Sequence, residues 1–448
     1  MNPEQNEIRL RALLRSGAQK PGTLLASLGV SQPTLSRLIR RAGQDILKLG
    51  ATRSTLYALA SPIPGIGAEI PVYHVQDTGN VHPYGTLFSL AGPQYYWTPV
   101  SGKPILWNHL PWFIQNIRPE GFLGRAFAHK HCGPDLPMRL EDWNDHHLLT
   151  ALAREGSDLP GNLIIGEQAL AAFLAAAPKG PTPVSPEDRP AAYPRLAQES
   201  LAGSPPGSSA GGEQPKFGIM SRVNGFCHVL VKFSPPVGTP DGRRWADLLV
   251  CEHIALQLLE EAGRGASTSR FFQFGDRCFL EVERFDRVGR FGRRGIVSLG
   301  ILEDEFFGVR DHWEGAAGRL QRAGHITAED ASAIRWQSAF GKMIANTDQH
   351  FGNISFFTED SGFRLCPAYD VLPMFYRPSG SGEIVERHFE MPTPTSALAQ
   401  EWGDAQQWAK VFWERVSRDE RISMQFRKIA SEHVELFTVD QGPRLILS

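Results

Sequence analysis

The stretch 215–233, PKFGIMSRVNGFCHVLVKF, constrains the fold more than any other part of the chain. Two runs flank Asn224-Gly225, the pair best suited to a type I′ turn with positive φ at both central positions. Such a hairpin sets a register, and register decides which side chains share a face. The second run, 228–233, ends in V-L-V-K-F, so Lys232 lies among residues that alternate toward a core. A strongly periodic helix over 245–261 (WADLLVCEHIALQLLEE) follows a Pro/Gly-rich connection, and Glu252 within it is placed to reach back to Lys232. Read singly, Lys232 is equally a snorkelling surface lysine and Glu252 ordinary helix surface.

The segment IANTDQHFGNISFF adds chemistry. Asp348 and Asn353 have four residues between them, and an apolar strand follows. This reproduces the D-x-x-x-x-N spacing of the protein-kinase catalytic loop, where a carboxylate accepts or orients the substrate hydroxyl and an amide oxygen binds Mg²⁺. Beyond the strand pair 354–357 and 363–366 comes Asp370 in CPAYDVLP, which matches the second metal-binding carboxylate, although within Y-D-V rather than D-F-G. Lys232 then resembles the lysine that neutralises the α and β phosphates of ATP, and Glu252 its helix partner. The strand 278–285 (CFLEVERF) runs into Glu283 to Arg287, a place for a hinge whose backbone pairs with adenine. By residue type alone Asp370 also reads as a turn residue and His350 as a structural histidine. It is the order Lys, Glu, Asp, Asn, Asp that points to phosphoryl transfer.

The charge is uneven along the chain. Residues 1–60 hold nine Lys/Arg and three Asp/Glu, a local balance of +6, against a formal −2 for all 448 residues. Basic charge gathered at one end suits a nucleic-acid module fused to a near-neutral enzyme. Helices are expected over 8–14, 24–28 (capped by Thr23) and 32–41 (capped by Ser31, with Pro33 in the first turn). The segment TLLASLGVSQPTLSRLIRRAG reads as a helix-turn-helix. With Leu35, Leu38 and Ile39 inward, Gln32, Thr34, Ser36, Arg37, Arg40 and Arg41 face outward for base edges and phosphates. Residues 46–59, with Gly50 between two apolar runs, suit the hairpin wing of a winged helix. The alternative is a packing module with solvated arginines.

At roughly 150 residues per domain the length suggests about three domains. No run approaches the roughly 18 apolar residues of a membrane helix. The polar N-terminus lacks a signal core, so a cytoplasmic protein without membrane partners is expected. The cysteines 132, 227, 251, 278 and 366 form no C-x-x-C pair and suit neither a disulfide framework nor a zinc ribbon. His129, His131 and Cys132, and His146 and His147, are metal-ligand types, but their spacing does not bring ligands together. Residues 71–177 read as mixed α/β, with helical stretches over 148–153 and 168–177. The Pro/Ser/Gly/Ala-rich stretch 178–212 reads as a linker or flap.

In GGEQPKF, VLVKF, ERFDR, NTDQHFGN and PAYDVLP, the chain resembles the HipA family of serine/threonine kinase toxins, in the YjjJ-like branch with its own N-terminal helix-turn-helix. The resemblance covers roughly 71–448 and implies an α+β, two-lobed protein-kinase-like fold behind an N-terminal winged helix-turn-helix domain. The implied organisation is 1–62 for DNA binding, 63–177 for an α/β subdomain, 178–212 for the linker, 213–290 for the nucleotide-binding part and 291–448 for the catalytic, helical lobe. It implies ATP with Mg²⁺ and transfer to a protein serine or threonine, with aminoacyl-tRNA synthetases as family targets and growth arrest as outcome. The implied roles are Lys232 on phosphates, Asp348 as catalytic aspartate, Asn353 and Asp370 on Mg²⁺, and Glu283 and Phe285 at the adenine hinge. Gln214, Lys216, Glu252 and His350 are further nucleotide-site residues, and Ser209, five residues before Gln214, matches the family's autophosphorylated serine. Gly352 stands where the family usually has lysine, and Glu213 adds a negative charge near the phosphates. Most HipA proteins borrow DNA binding from a separate antitoxin, whereas here that module is in cis, which leaves an antitoxin partner and a homodimer as open associations.

Two other readings compete. A DNA-binding transcriptional regulator with a catalytically weak or inactive nucleotide-binding body predicts salt-sensitive operator binding altered by ATP, without transfer. A small-molecule kinase predicts a resistance or nutrient phenotype instead of growth arrest.

Overall fold

The computed structural model describes residues 3–176, 182–203, 214–222, 225–360 and 362–437. The chain divides into two compact units, one of residues 1–76, 80–118 and 131–179, the other of residues 77–79, 119–130 and 180–448.

In the first unit α1 (Pro3–Arg15), α2 (Pro21–Leu28) and α3 (Gln32–Ala42) close around Leu10, Leu14, Leu24, Leu28, Leu35 and Leu38. The α3 spacing of Leu35, Leu38 and Ala42 is one helical face. Two expected caps differ. The second helix starts at Pro21 rather than after Thr23, because a proline in the first turn forfeits no hydrogen bond. Ser31 has the extended N-cap backbone, but its hydroxyl pairs with the Thr34 hydroxyl at 3.0 Å instead of capping an amide.

The strands β1 (Ile46–Leu49) and β2 (Leu56–Leu59) pair antiparallel, Ile46 opposite Leu59. Both faces of this hairpin are covered. Ile46, Tyr57 and Leu59 join the helical core, while Leu47, Leu49, Leu56 and Ala58 pack with Phe88, Leu90 and Tyr96 of the following sheet. The expected wing is therefore a wall shared by two cores, and the boundary expected at residue 62 separates no independent body. The sheet comprises β3 (Glu69–Val75), β4 (Val81–Leu90), β5 (Gln94–Pro99), β6 (Ile105–Trp107) and β7 (Leu163–Ile165), in the order β6-β5-β4-β3-β7. Its other face, with Ile70, Val72, Leu87 and Trp97, packs on α4 (Trp112–Gln115) and α6 (Asp145–Glu155). Helix α7 (Glu167–Ala176) follows, while α5 (Gly121–His131) clusters largely with the second unit. His147 accepts from the Asn144 amide at 3.3 Å, and among the described residues no three His, Cys, Asp or Glu are grouped to hold a metal.

Within the expected linker, Arg189–Ala202 forms helix α8, with Arg189 and Tyr193 buried. Proline and alanine content suggested a linker, but Ala, Leu, Gln and Glu are good helix formers and Tyr193 supplies an anchor. Ser209 and Glu213 lie outside the described residues. Strands β8 (Lys216–Arg222) and β9 (Phe226–Phe233) pair antiparallel with Arg222 opposite Phe226, while the expected type I′ turn at Asn224-Gly225 lies partly outside the described residues. Helix α9 (Pro240–Glu261) starts five residues before the expected 245, because the Thr239 hydroxyl accepts from the Gly242 amide at 3.2 Å and Pro240 suits the first position. With β10 (Ser269–Phe274) and β11 (Arg277–Glu283) the sheet order is β10-β11-β9-β8.

Strands β12 (Arg287–Val288) and β13 (Gly292–Arg293) form a small hairpin across the boundary expected at 290. A three-stranded sheet of β14 (Ile296–Ser298), β15 (Ser355–Glu359) and β16 (Gly362–Leu365) follows, with helices α10 (Leu299–Phe306), α11 (Trp313–Arg322), α12 (Ala328–Met343), α13 (Ala399–Arg418) and α14 (Met424–Leu436). One core built on Leu248, Leu249, Phe340, Phe412 and Phe426 joins α9 to α12, α13 and α14. Among the described residues no helix is long and apolar enough to cross a membrane.

Candidate active site

Strand alternation positions the first group. Val229, Val231 and Phe233 of β9 point to the α8 side with Phe217, Phe279 and Tyr193. Lys232 therefore points to the other side, opposite Lys216 on β8 and Leu280 on β11. The α8 side is locked by a buried ion pair, Arg189 Nε to Glu281 Oε1 at 2.7 Å, and the Tyr193 hydroxyl donates to the same carboxylate. Sequence reading missed this pair, whose members lie 92 residues apart.

On the Lys232 side, α9 presents Glu252, which is fully buried. Lys232 Nζ donates to Glu252 Oε1 at 2.5 Å and Oε2 at 2.8 Å, and also to Asp370 Oδ1. Burial raises the Glu252 carboxyl, while Lys232 pulls it down and Asp370 pushes it up. At Asp370 desolvation acts in the same upward sense but is outweighed by Lys232, Lys216 and His350, so its carboxyl lies below the usual carboxylate range. Desolvation would lower Lys232, yet Asp370 and Glu252 outweigh it and hold the ammonium charged. Asp370 has φ +55, a left-handed backbone that costs an L-residue roughly 1–2 kcal/mol. Asp tolerates it better than most residues, and such strain persists only where surrounding contacts over-determine it. The Lys232 bond is one of those contacts.

The second group is the loop between α12 and β15. The Asp348 amide donates to Asn346 Oδ1 at 3.1 Å, and Asn353 Nδ2 donates to the Asp348 carbonyl at 2.8 Å. The Asp348 carboxylate itself enters no hydrogen bond among the described residues. With its amide nitrogen committed, buried Asn353 keeps its side-chain oxygen for another partner. His350 Nδ1 accepts from the Gly352 amide at 3.1 Å, which leaves the ring proton of the neutral form on Nε2. His350 thus holds the loop. A Cβ on Gly352 would stand 3.0 Å from the His350 ring, so glycine is what leaves room for this pose. Trp313 Nε1 donates to the His350 carbonyl at 3.1 Å, and the Tyr369 hydroxyl to the Gly352 carbonyl at 2.7 Å. Neither Asn346, Trp313 nor Tyr369 was legible as a site residue, since each acts across a fold contact. The one available signal was the position of Tyr369 beside Asp370.

At the expected hinge the Glu283 amide donates to the Thr268 carbonyl at 2.9 Å and the Arg284 amide to His228 at 2.9 Å, so both are spent on strand pairing. The Phe285 amide makes no hydrogen bond among the described residues. Its ring packs against Tyr369 and Phe357, with centroids 5.6 and 5.8 Å away. Gln214, just before β8, has a buried Nε2 without a partner among the described residues. The groups fit a nucleotide with a divalent cation: a carboxylate and an amide oxygen for the metal, two ammonium groups and an unsatisfied amide for phosphate oxygens.

In the first unit, Gln32, Ser36, Arg37, Arg40 and Arg41 are exposed on α3 and Thr34 is half-buried. Arg37 Nε donates to the Pro33 carbonyl at 3.3 Å, and Arg41 lies 3.7 Å from Glu7. Arg40 has no partner among the described residues.

Residues 66–174 match the YjjJ-like toxin middle-domain family, and residues 208–437 match the HipA-like C-terminal domain family. The Escherichia coli (strain K12) protein named toxin YjjJ is 37% identical over 431 residues, which is 95% of this chain and 96% of that protein. The HipA fold, solved in Shewanella oneidensis MR-1 HipA with HipB and operator DNA, is shared at a TM-score of 0.51 and 15% identity, covering 82% of this chain and 95% of that one.

Proposed function

The chain belongs to the HipA-like family, in its YjjJ-like toxin branch, and from that premise we propose that it is an ATP- and Mg²⁺-dependent serine/threonine protein kinase whose activity arrests growth. The observation that carries this reading is Lys232, bonded at once to Glu252 and Asp370 on the sheet face that also bears Lys216. Lys216, Lys232 and the Gln214 amide bind and orient phosphate oxygens. The Phe285 amide, with the Glu283 strand end beside it, receives the adenine. Asp348 takes up or orients the proton of the incoming hydroxyl, and its unbonded carboxylate is available for that task. Asn353 and Asp370 hold the Mg²⁺, which when bound supplies charge neutralisation at the transferred phosphate. The target class is a protein of the translation machinery, an aminoacyl-tRNA synthetase by family resemblance, and Ser209 is the proposed site of autophosphorylation. Incubation of the full chain with γ-labelled ATP and Mg²⁺ tests this: label on protein serine or threonine supports it, and tight ATP binding without transfer would leave a nucleotide-sensing DNA regulator instead.

The N-terminal helices are the proposed DNA-binding module, with α3 as the recognition helix and an antitoxin or a second copy as further associates. Because both faces of the β1–β2 hairpin are packed, DNA contact falls mainly to α3. Arg40→Ala removes an exposed, unpartnered charge and is expected to weaken binding across sequences and lower the slope of log K against log salt by about 0.9. Measurement of operator affinity over a salt series checks it, and an unchanged slope would place the phosphate contacts elsewhere.

A further inference from the structure

We propose that Tyr369 is a positioning residue that sets the 348–353 loop against the segment after β16 that carries Asp370. The inference rests on the phosphoryl-transfer reading above. Three contacts define the role. The Tyr369 hydroxyl is 2.7 Å from the Gly352 carbonyl and 2.7 Å from the Ser355 hydroxyl, and its ring packs on Phe285 at 5.6 Å. A phenol has one proton, and a carbonyl can only accept. The proton of Tyr369 is therefore committed to Gly352, and Ser355 must donate to the Tyr369 oxygen. The result is a directed relay, Ser355 to Tyr369 to Gly352, that ties the start of β15 and the residue before Asp370 to the middle of the loop.

Gly352 has no side chain of its own, and its amide is already held by His350. Its carbonyl is the other handle by which the fold fixes that peptide. The next residue after Tyr369 holds the left-handed backbone that lets Asp370 meet Lys232. One side chain thus governs the separation between the carboxylate expected to handle the hydroxyl and the carboxylate expected to hold the metal. Its ring also packs against the ring of Phe285, so hydroxyl and ring have separable effects.

Tyr369→Phe keeps the ring and removes the hydroxyl. Misplacement of reacting groups by about 1 Å costs on the order of 10²-fold in rate, so kcat is expected to fall about 10- to 100-fold. KM for ATP should stay within about twofold, because the Phe285 contact survives. Ser355→Ala, which leaves the Tyr369 to Gly352 bond intact, should cost less than Tyr369→Phe. Amide hydrogen exchange gives a reading independent of turnover: in Tyr369→Phe, residues 348–353 should exchange faster while β15 and β16 keep their protection. Wild-type kcat in Tyr369→Phe, or unchanged loop exchange, overturns the inference. A wild-type chain that transfers no phosphate overturns the kinase reading instead, and the exchange experiment still decides whether Tyr369 holds the loop.

Discussion

Asp348→Asn is expected to lower phosphate transfer by about 10²- to 10⁴-fold with almost no change in thermal stability, the range for a positioned acid–base group. The structural reason is that Asp348 is held entirely by its backbone: its amide donates to Asn346 and its carbonyl accepts from Asn353. Asparagine keeps both bonds and nearly the same volume. What is lost is the negative charge and the lone pairs that would receive a hydroxyl proton, so ATP affinity should change little. Initial rates of label incorporation, taken alongside nucleotide affinity and melting temperature, separate these effects. Equal rates for variant and wild type would remove Asp348 from the mechanism.

The second large effect is one of stability as well as activity. Lys232→Ala deletes the ammonium shared by Glu252 and Asp370, and Glu252 has no solvent to turn to, its side chain being 0% exposed. Breaking a buried pair by removing one partner costs about 3–5 kcal/mol, a large part of the roughly 5–15 kcal/mol that holds a typical domain folded. Glu252→Gln should cost less, because Lys232 keeps Asp370 and the amide keeps a hydrogen bond. The expected order, wild type above Glu252→Gln above Lys232→Ala, can be read from denaturant midpoints and from exchange protection of α9. A Lys232→Ala chain as stable as wild type would mean that Glu252 is protonated or solvated in the folded state. Lys232→Ala should also weaken ATP binding, whereas Asp348→Asn should not.

Much of the candidate site was legible because its members sit in locally patterned segments. Lys232 was marked by strand alternation, Glu252 by helical period, Asp348 and Asn353 by spacing. Residues that act through the fold were not. Tyr369 meets Gly352 across 17 residues and Trp313 meets His350 across 37, and neither separation has a periodic signature. Helix α8 was hidden for a different reason: proline-rich composition around 178–212 masked a segment whose buried arginine finds its carboxylate on a strand far along the chain. At the expected hinge, the family resemblance named Glu283 and Phe285, but only strand pairing showed that the Glu283 amide is engaged while the Phe285 amide makes no hydrogen bond among the described residues.

From its own pattern the chain specified the apolar faces of the N-terminal helices, the long helix that carries Glu252, the β8–β9 hairpin and the order of the charged residues, because those depend on side-chain periodicity within a few turns or strands. The tertiary structure alone decided that one lysine serves two carboxylates, that Asp370 takes a left-handed backbone to reach it, and that the β1–β2 hairpin is packed on both faces rather than free. Those outcomes require segments distant in sequence to compete for the same buried space and the same hydrogen-bond donors, and that competition is settled only when the whole core closes.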